Sequence, residues 1–287
     1  VVTRPTILVT GAGGQVGHEL ARVLRAHGEI AALDRSQLDL ADVDVVRRTI
    51  RAIRPQVIVN AAAYTAVDQA EREPELADAI NARAPGVLAE EAKRLGALLI
   101  HYSTDYVFDG AASTPYGEDA PTGALGVYGE SKLEGERAIA AVDAASIILR
   151  TSWVYALRGH NFLLTIRRLA ATRDELRVVA DQIGVPNWAH AIAAATATLI
   201  GRGLADLAER RGLYHLSGTG VTSWFEFARA ILGPVERPRL VPITTLEYPT
   251  AARRPPYAVL SSKKFERTFG FGLPEWRAML QECLSGE

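Results

Sequence analysis

Tyr128 and Lys132 stand four residues apart in Tyr128-Gly129-Glu130-Ser131-Lys132, a spacing that puts both side chains on one face of a helix. An ammonium beside a phenol favours the phenolate and lowers the phenol pKa from its reference value of about 10. A tyrosine tuned in this way can deliver a proton to a developing alkoxide near neutral pH. Upstream, His101-Tyr102-Ser103-Thr104-Asp105-Tyr106-Val107-Phe108-Asp109-Gly110 reads as the end of a buried strand opening into a polar loop. The Thr104 hydroxyl can hydrogen-bond the same oxygen. Taken alone, Tyr-x-x-x-Lys is also what an ordinary exposed helix turn shows, so the rest of the chain decides.

The elements that must hold these residues begin at the N-terminus. Thr6-Ile7-Leu8-Val9-Thr10 is an apolar, β-branched run that ends at Gly11-Ala12-Gly13-Gly14-Gln15-Val16-Gly17, and a helical pattern follows through Leu20, Val23 and Leu24. Strand, glycine turn and helix in this order form a dinucleotide-binding signature. The glycines let the backbone approach a pyrophosphate, and the helix N-terminus offers free N–H groups to it. A second strand, Ile30 to Leu33, leads into Asp34-Arg35-Ser36. An acid there can accept from an adenosine ribose hydroxyl, which suits NAD, and an adjacent arginine can pair with a 2′-phosphate, which suits NADP. Both cofactors stay open. Asp39 reads as the cap of a helix over 42–53 and, with Leu40, as an adenine contact.

Val57-Ile58-Val59-Asn60 is a third buried strand running into Ala61-Ala62-Ala63-Tyr64-Thr65, and a helix follows from about Pro74 to Arg94 with Asn81 inside it. A fourth strand starts near Ala97, the Tyr128 helix runs to about Ala141, and Ser146 to Arg150 is a fifth strand. This alternation predicts an α/β fold: a Rossmann-like, doubly wound parallel sheet. Residues 1–150 are expected to form the NAD(P)-binding domain, and 151–287 mainly a smaller α/β substrate-binding domain, with some segments returning to the sheet. In that second part Trp153 and Tyr155 follow a strand end, where an indole can wall in a sugar or simply pack in the core. Helices are expected over 161–172, 189–200, 224–232, 262–269 and 274–284. His190 reads as structural. Arg253-Arg254-Pro255-Pro256 is the candidate for a diphosphate contact.

Composition narrows the class. The chain has 287 residues, 48% hydrophobic and 23% charged, with a formal net charge of −1, the profile of a globular protein with no basic field for nucleic acid or anionic membrane. Basic pairs such as Arg47-Arg48 and Arg210-Arg211 do not extend into runs. Cys283 is the single cysteine, which excludes a disulfide framework within the chain and a cysteine-rich metal site and fits a reducing cytoplasm. A strand is reached within a few residues of the start, which leaves no room for a signal peptide. Ala189 to Ile200 is too short for a membrane span.

Gly11-x-x-Gly14-x-x-Gly17, Asp39-Leu40, Asn60-Ala61-Ala62-Ala63, Ser103-Thr104-Asp105 and Tyr128-x-x-x-Lys132 together resemble the extended short-chain dehydrogenase/reductases. The longer stretches from Asn60 to Glu71, Ser103 to Gly110 and Arg150 to Tyr155 resemble the dTDP-4-dehydrorhamnose reductase family, and the likeness covers nearly the whole chain. It implies NADPH- or NADH-dependent reduction of the C4 carbonyl of dTDP-4-dehydro-6-deoxy-L-mannose, the last step in making dTDP-L-rhamnose. It implies Thr104, Tyr128 and Lys132 as catalytic residues. Gly11, Ala12, Gly13, Gly14, Gln15 and Val16 fall on the cofactor side, as do Asp34, Arg35, Asp39, Leu40, Ala62, Ala63, Tyr64, Thr65, Tyr102, Tyr128 and Lys132. Val67, Thr104, Asp105, Tyr106, Tyr128, Trp153 and Arg253 fall on the substrate side. Related 4,6-dehydratases carry Thr-Asp-Glu, and Tyr106 replaces that Glu here, which removes a group that elimination needs. The segment Tyr257-Ala258-Val259-Leu260-Ser261 departs from the family's more polar pattern. Some relatives dimerise around magnesium held by glutamates, but Gln15 and His190 stand at two of those positions, so no metal is expected. The expected partner is a sugar nucleotide, with no nucleic acid and no membrane, in a monomer or homodimer. Two alternatives remain at this point: a non-catalytic NADP-binding regulatory subunit on the same fold, and a reductase or epimerase of another sugar nucleotide.

Overall fold

Strand β1 (Thr6–Thr10) sends Ile7 and Val9 to one face of a sheet and Leu8 to the other, all fully buried. A strand covered on both faces is what a continuous apolar, β-branched run predicts. The structure, a computed structural model, describes residues 4–234 and 237–286. After β1 come α1 (Gln15–Val23), β2 (Glu29–Leu33), α2 (Val43–Ile53), β3 (Val57–Asn60), the single turn α3 (Val67–Ala70) and α4 (Pro74–Asp78). A π-helical turn, Ala79–Arg83, joins α4 to α5 (Ala84–Leu95), followed by β4 (Leu98–Thr104), α6 (Val127–Val142) and β5 (Ser146–Thr151). The later chain holds β6 (Val154–Tyr155), α7 (Phe162–Ala170), β7 (Glu175–Val179), β8 (Ile183–Gly184), β9 (Asn187–Trp188), α8 (Ala189–Gly201), α9 (Leu204–Glu209) and β10 (Gly212–His215). Last come β11 (Thr222–Ser223), α10 (Trp224–Leu232), β12 (Arg239–Ile243), α11 (Lys263–Phe269) and α12 (Trp276–Ser285).

The main sheet has the order β2-β1-β3-β4-β5-β10, and every neighbouring pair is parallel. From β1 the chain moves outward to β2, then crosses back to place β3 on the other side of β1. That reversal leaves a crevice at the carboxyl ends of β1 and β3. One face of the sheet buries Ile7, Val9, Val57, Val59 and Ile100 against Leu20 of α1 and Ile192 and Leu199 of α8. The other buries Leu8, Ile58 and Leu99 against Val46 and Ile50 of α2, Leu88 of α5 and Ile139 of α6. Thus α8 and β10, both late in the chain, join the first layer system. The remaining short strands pair as β7 with β12, β6 with β9 and β8 with β11.

Two local readings change, and one element was not expected. The helix expected as one piece from Pro74 to Arg94 contains the π turn. Pro85 has no N–H to give the Asn81 carbonyl and its ring crowds that carbonyl, so the helix widens there. Secondly, Asp39 does not cap the helix over 43–53. Asp42 does, accepting from the N–H groups of Asp44 and Val45, while Asp39 closes its own turn by accepting from Ala41 N at 3.0 Å. The difference is one of reach: a cap's carboxylate bonds the N–H two or three residues on. Finally, β12 and its parallel pairing with β7 carry too little sequence signal to have been expected.

Candidate active site

A cleft of about 750 Å³ opens at the carboxyl edge of the sheet, over the β1/β3 crevice. Gly11, Gly13, Gly14, Gln15 and Val16 form its floor. Gly11 has φ +70°, and a Cβ on it would meet Ala62 Cα at 2.7 Å. A Cβ on Gly17 would come within 2.1 Å of Gly11 O. Only glycines let β1, the loop after β3 and α1 meet this closely. Ala12 does not line the cleft, and its N–H donates to Leu33 O at 3.1 Å. Helix α1 begins at Gly14 with no side-chain cap and no acid in its first turn. Its N–H groups therefore stay free for an anion, which fits a pyrophosphate.

Asp34, Arg35, Asp39 and Leu40 form one end of the cleft, and Ser36 and Leu38 join them. Asp34 Oδ1 accepts from Ser36 N at 2.9 Å, Ser36 Oγ at 2.6 Å and Gln37 N at 3.2 Å, bonds that hold its carboxyl below its usual pKa. Arg35 is exposed, with its Nε 3.9 Å from an Asp39 oxygen. Ala62, Ala63, Tyr64 and Thr65 form the wall. Asn81 pins this wall: its Oδ1 accepts from Tyr64 N at 2.8 Å, and its Nδ2 donates to Tyr64 O and Ser131 Oγ, both at 3.1 Å.

The far end holds Tyr102, Tyr128 and Lys132. Helix α6 is set from several sides. Glu71 Oε1 accepts from Val127 N at 2.9 Å, and a Cβ on Gly129 would stand 2.2 Å from Tyr106 O. That close approach brings Tyr128 to Thr104, which hydrogen-bonds it, and edge-on to Tyr106 at 5.4 Å between ring centroids. Thr104 Oγ1 donates to Asp105 Oδ1 at 3.0 Å and accepts from Tyr106 N at 3.2 Å. Lys132 is buried, and its Nζ donates to Tyr102 O at 2.6 Å and lies 3.2 Å from His101 Nε2.

The expected lowering of the Tyr128 pKa by Lys132 is not what this arrangement produces. Burial pushes the phenol well up, the Thr104 bond only partly offsets it, and the Lys132 ammonium is turned to the β4 backbone and His101. Lys132 itself is lowered to about 8 by burial, with Glu136 acting the other way. Burial raises Asp105 to about 7 against its bonds from Thr104 and Tyr106.

On the substrate side, Val67 opens the turn α3, and Asp105 and Tyr106 lie in the 3-10 turn Asp105–Val107 beside Thr104. Trp153 has φ +44° and is packed: its ring stacks on Trp224 at 3.5 Å, with Gly184 against the indole. Arg253 is exposed, whereas Arg254 donates to Asp68 at 2.8 Å and hydrogen-bonds Tyr106. The cleft also takes Ser103, Thr151, Val154, Gly159 and His160, which were not anticipated. Ser103 and Thr151 lie in the last two residues of adjacent strands, so the rule that ligands sit at carboxyl edges could have found them. Their hydroxyls are buried without a partner among the described residues. Gly159 and His160 come from a loop with no local signal. His190 pairs with Glu19 at 2.9 Å.

Fold and cleft define a Rossmann-type α/β protein of the nucleotide-binding kind. The chain belongs to the RmlD substrate binding domain family, whose model matches residues 5–287. It is 46% identical to a dTDP-4-dehydrorhamnose reductase of Burkholderia thailandensis and 43% identical to one of Escherichia coli, covering 97% of this chain and 97% of the relative in both cases. Among solved structures it superimposes with a TM-score of 0.93 on a dTDP-4-dehydrorhamnose reductase of Bacillus anthracis in complex with NADP. That structure is 34% identical, and the match covers 99% of this chain and 100% of the other. Among the described residues no helix is long and apolar enough to cross a membrane.

Proposed function

We propose that this protein is an NAD(P)H-dependent dTDP-4-dehydrorhamnose reductase, reducing the C4 carbonyl of dTDP-4-dehydro-6-deoxy-L-mannose to give dTDP-L-rhamnose. The observation that carries the reading is that Tyr128, bonded by Thr104, and Lys132 line the far end of a cleft whose floor is an uncapped helix N-terminus in a glycine cradle. The names of the relatives point to the same reaction.

Gly11 to Val16 would hold the pyrophosphate of the cofactor, and Asp34, Arg35, Asp39 and Leu40 would hold its adenosine end. Bound there, it supplies a hydride to the sugar C4. Tyr128 gives its proton to the oxygen that becomes the alcohol. Burial keeps its phenol protonated, so the proton is in place when the carbonyl oxygen gains negative charge. Lys132 bonds the ribose next to the nicotinamide and supplies positive charge. Thr104 bonds the reacting oxygen and steadies Tyr128. Val67, Asp105 and Tyr106 from the first part of the chain, and Trp153 and the arginines at 253 and 254 from the part after residue 150, take the sugar nucleotide. The product is a sugar nucleotide.

The test is oxidation of NADPH and of NADH by the purified chain with dTDP-4-dehydro-L-rhamnose made in situ. Turnover is expected with both cofactors and is expected to fall at least about 1,000-fold in Tyr128→Phe. Full activity in that variant would remove Tyr128 as proton donor. No turnover with cofactor binding intact would remove the substrate assignment.

A further inference from the structure

Behind Lys132, on the side away from the cleft, runs a hydrogen-bonded chain that the scheme above leaves unused: Lys132, His101, Asn60 and Thr10. All four are buried, at 2%, 0%, 0% and 1% exposure. Thr10, Asn60 and His101 end or line three adjacent strands and are paired in register across them. The sheet itself therefore fixes their spacing.

The direction of each bond follows from one group that can only donate. The backbone N–H of Ala62 points at Asn60 Oδ1 at 3.3 Å, and Thr10 Oγ1 donates to the same oxygen at 2.6 Å. The amide oxygen thus faces Ala62 and Thr10, and Asn60 Nδ2 faces His101 Nδ1 at 2.9 Å. An amide NH₂ has no acceptor, so Nδ1 accepts, and the neutral ring carries its hydrogen on Nε2. The ring is neutral because burial, the larger cause, holds its pKa well below the ordinary value. Nε2 lies 3.2 Å from Lys132 Nζ. An Nε2–H donates into the lone pair of an amine, whereas an ammonium offers it nothing to donate to.

We propose that Asn60 and His101 are positioning residues that set the charge of Lys132, Asn60 by locking the His101 ring in the Nε2–H form and the ring by donating to the lysine as an amine. The inference rests on the reading above only for the use made of that lysine. A lysine that can exist as the amine gives up a proton more readily than one held in a carboxylate pair. The other groups facing it do not undo this. Tyr102 from β4 offers a neutral carbonyl, Tyr128 shares its helix face, and Glu136, one turn along α6, is committed to Arg150 by bonds of 2.6 and 2.8 Å. The same chain reaches Ala62, so the wall of the cofactor cleft and the lysine are built on one buried network.

The test is nitrogen-15 NMR of the full chain, alone and with NADPH, without sugar. The His101 ring is expected to be protonated at Nε2 and bare at Nδ1 at neutral pH, and the reverse pattern would overturn the proposal. Asn60→Asp keeps the shape and still accepts from Ala62 N and Thr10, but towards the ring it accepts instead of donating. It is expected to switch the ring to Nδ1–H and to raise the midpoint of the Lys132 titration, read from its ε-carbon shift, by about one pH unit or more. A ring that does not switch, or a midpoint that stays or falls, overturns it. Should that variant not fold, the ring form of the parent chain still decides. Neither measurement uses the sugar, so a failure of turnover bears on the substrate reading alone.

Discussion

Glu91 and Lys132 are the two most instructive charges in the molecule, because both are almost fully buried, at 1% and 2% exposure, and their surroundings are opposite. Glu91, on the side of α5 turned to α2, is held by Arg51 at 2.6 Å, Arg94 at 2.7 Å and Arg47 at 3.3 Å. The Arg51 bond outweighs burial, and the carboxyl is held at about 2. Lys132 bonds a carbonyl and a neutral ring, and among the described residues no carboxylate is bonded to it. Burial therefore wins and brings it to about 8. A buried charge with surplus partners is fixed and serves stability. One with too few is poised, and poised groups belong to reactive sites.

Substitution should split the two along that line. Lys132→Met is expected to cost about 100- to 10,000-fold in turnover. It should leave the thermal midpoint unchanged or a few degrees higher, since it removes an under-paired buried charge. A melting point that falls sharply would show that Lys132 holds the fold as well. Glu91→Gln is expected to do the reverse. It should lower stability by about 2 kcal/mol, less than for a fully enclosed pair because the arginines are 30–52% exposed. Turnover below the melting point should stay within about twofold, since Glu91 is remote from the cleft.

The same contrast appears along the pH axis. Glu91 has a folded pKa of about 2, below its ordinary value of 4.5. Its stabilising contribution is complete above that ordinary value and is lost as the pH falls towards the folded one. Denaturant melts in that acid window should show the loss in the parent chain and not in Glu91→Gln. The active form of Lys132 in the scheme is the ammonium, so kcat/KM should decline above a pH of about 8. A profile flat to pH about 10 would mean that the ammonium is not required.

Much of the fold and the site behind this contrast was legible in the sequence, and the contrast itself was not, for definite reasons. The β1-glycine-α1 unit, the strands ending at Asn60 and Thr104 and the pairing of Tyr128 with Lys132 follow from local patterns, because periodicity and glycine spacing record local backbone demands. The direction in which Lys132 points does not. Helix spacing places it beside Tyr128, but its amine is claimed by Tyr102 O and His101, partners from a strand about thirty residues away by sequence number. Glu91 is likewise an ordinary helix carboxylate in sequence. Arg94 is its i+3 neighbour on α5, but Arg47 and Arg51 of α2 meet it only after α2 and α5 pack. Gly159 and His160 reach the cleft from a loop, for the same reason.

The smallest effects expected test where the contrast between paired and free charge stops, at Arg253 and Arg254. Arg253 is exposed and forms no ion pair among the described residues, while Arg254 is half-buried, donates to Asp68 at 2.8 Å and bonds Tyr106. Pairing with Asp68 holds the Arg254 guanidinium in place beside the Thr104–Tyr106 turn, so less side-chain freedom remains to be lost when a diphosphate binds. Arg254→Ala is therefore expected to raise KM for the sugar nucleotide about tenfold, the worth of a charge-assisted bond partly screened by solvent. Arg253→Ala, which removes a mobile surface cation, should raise it about twofold. Asp68→Asn tells positioning from contact: if Asp68 only aims Arg254, KM should rise by about threefold with kcat unchanged. The opposite ranking of the two arginines would place the diphosphate on the outer face of this loop and leave Arg254 as a structural clamp.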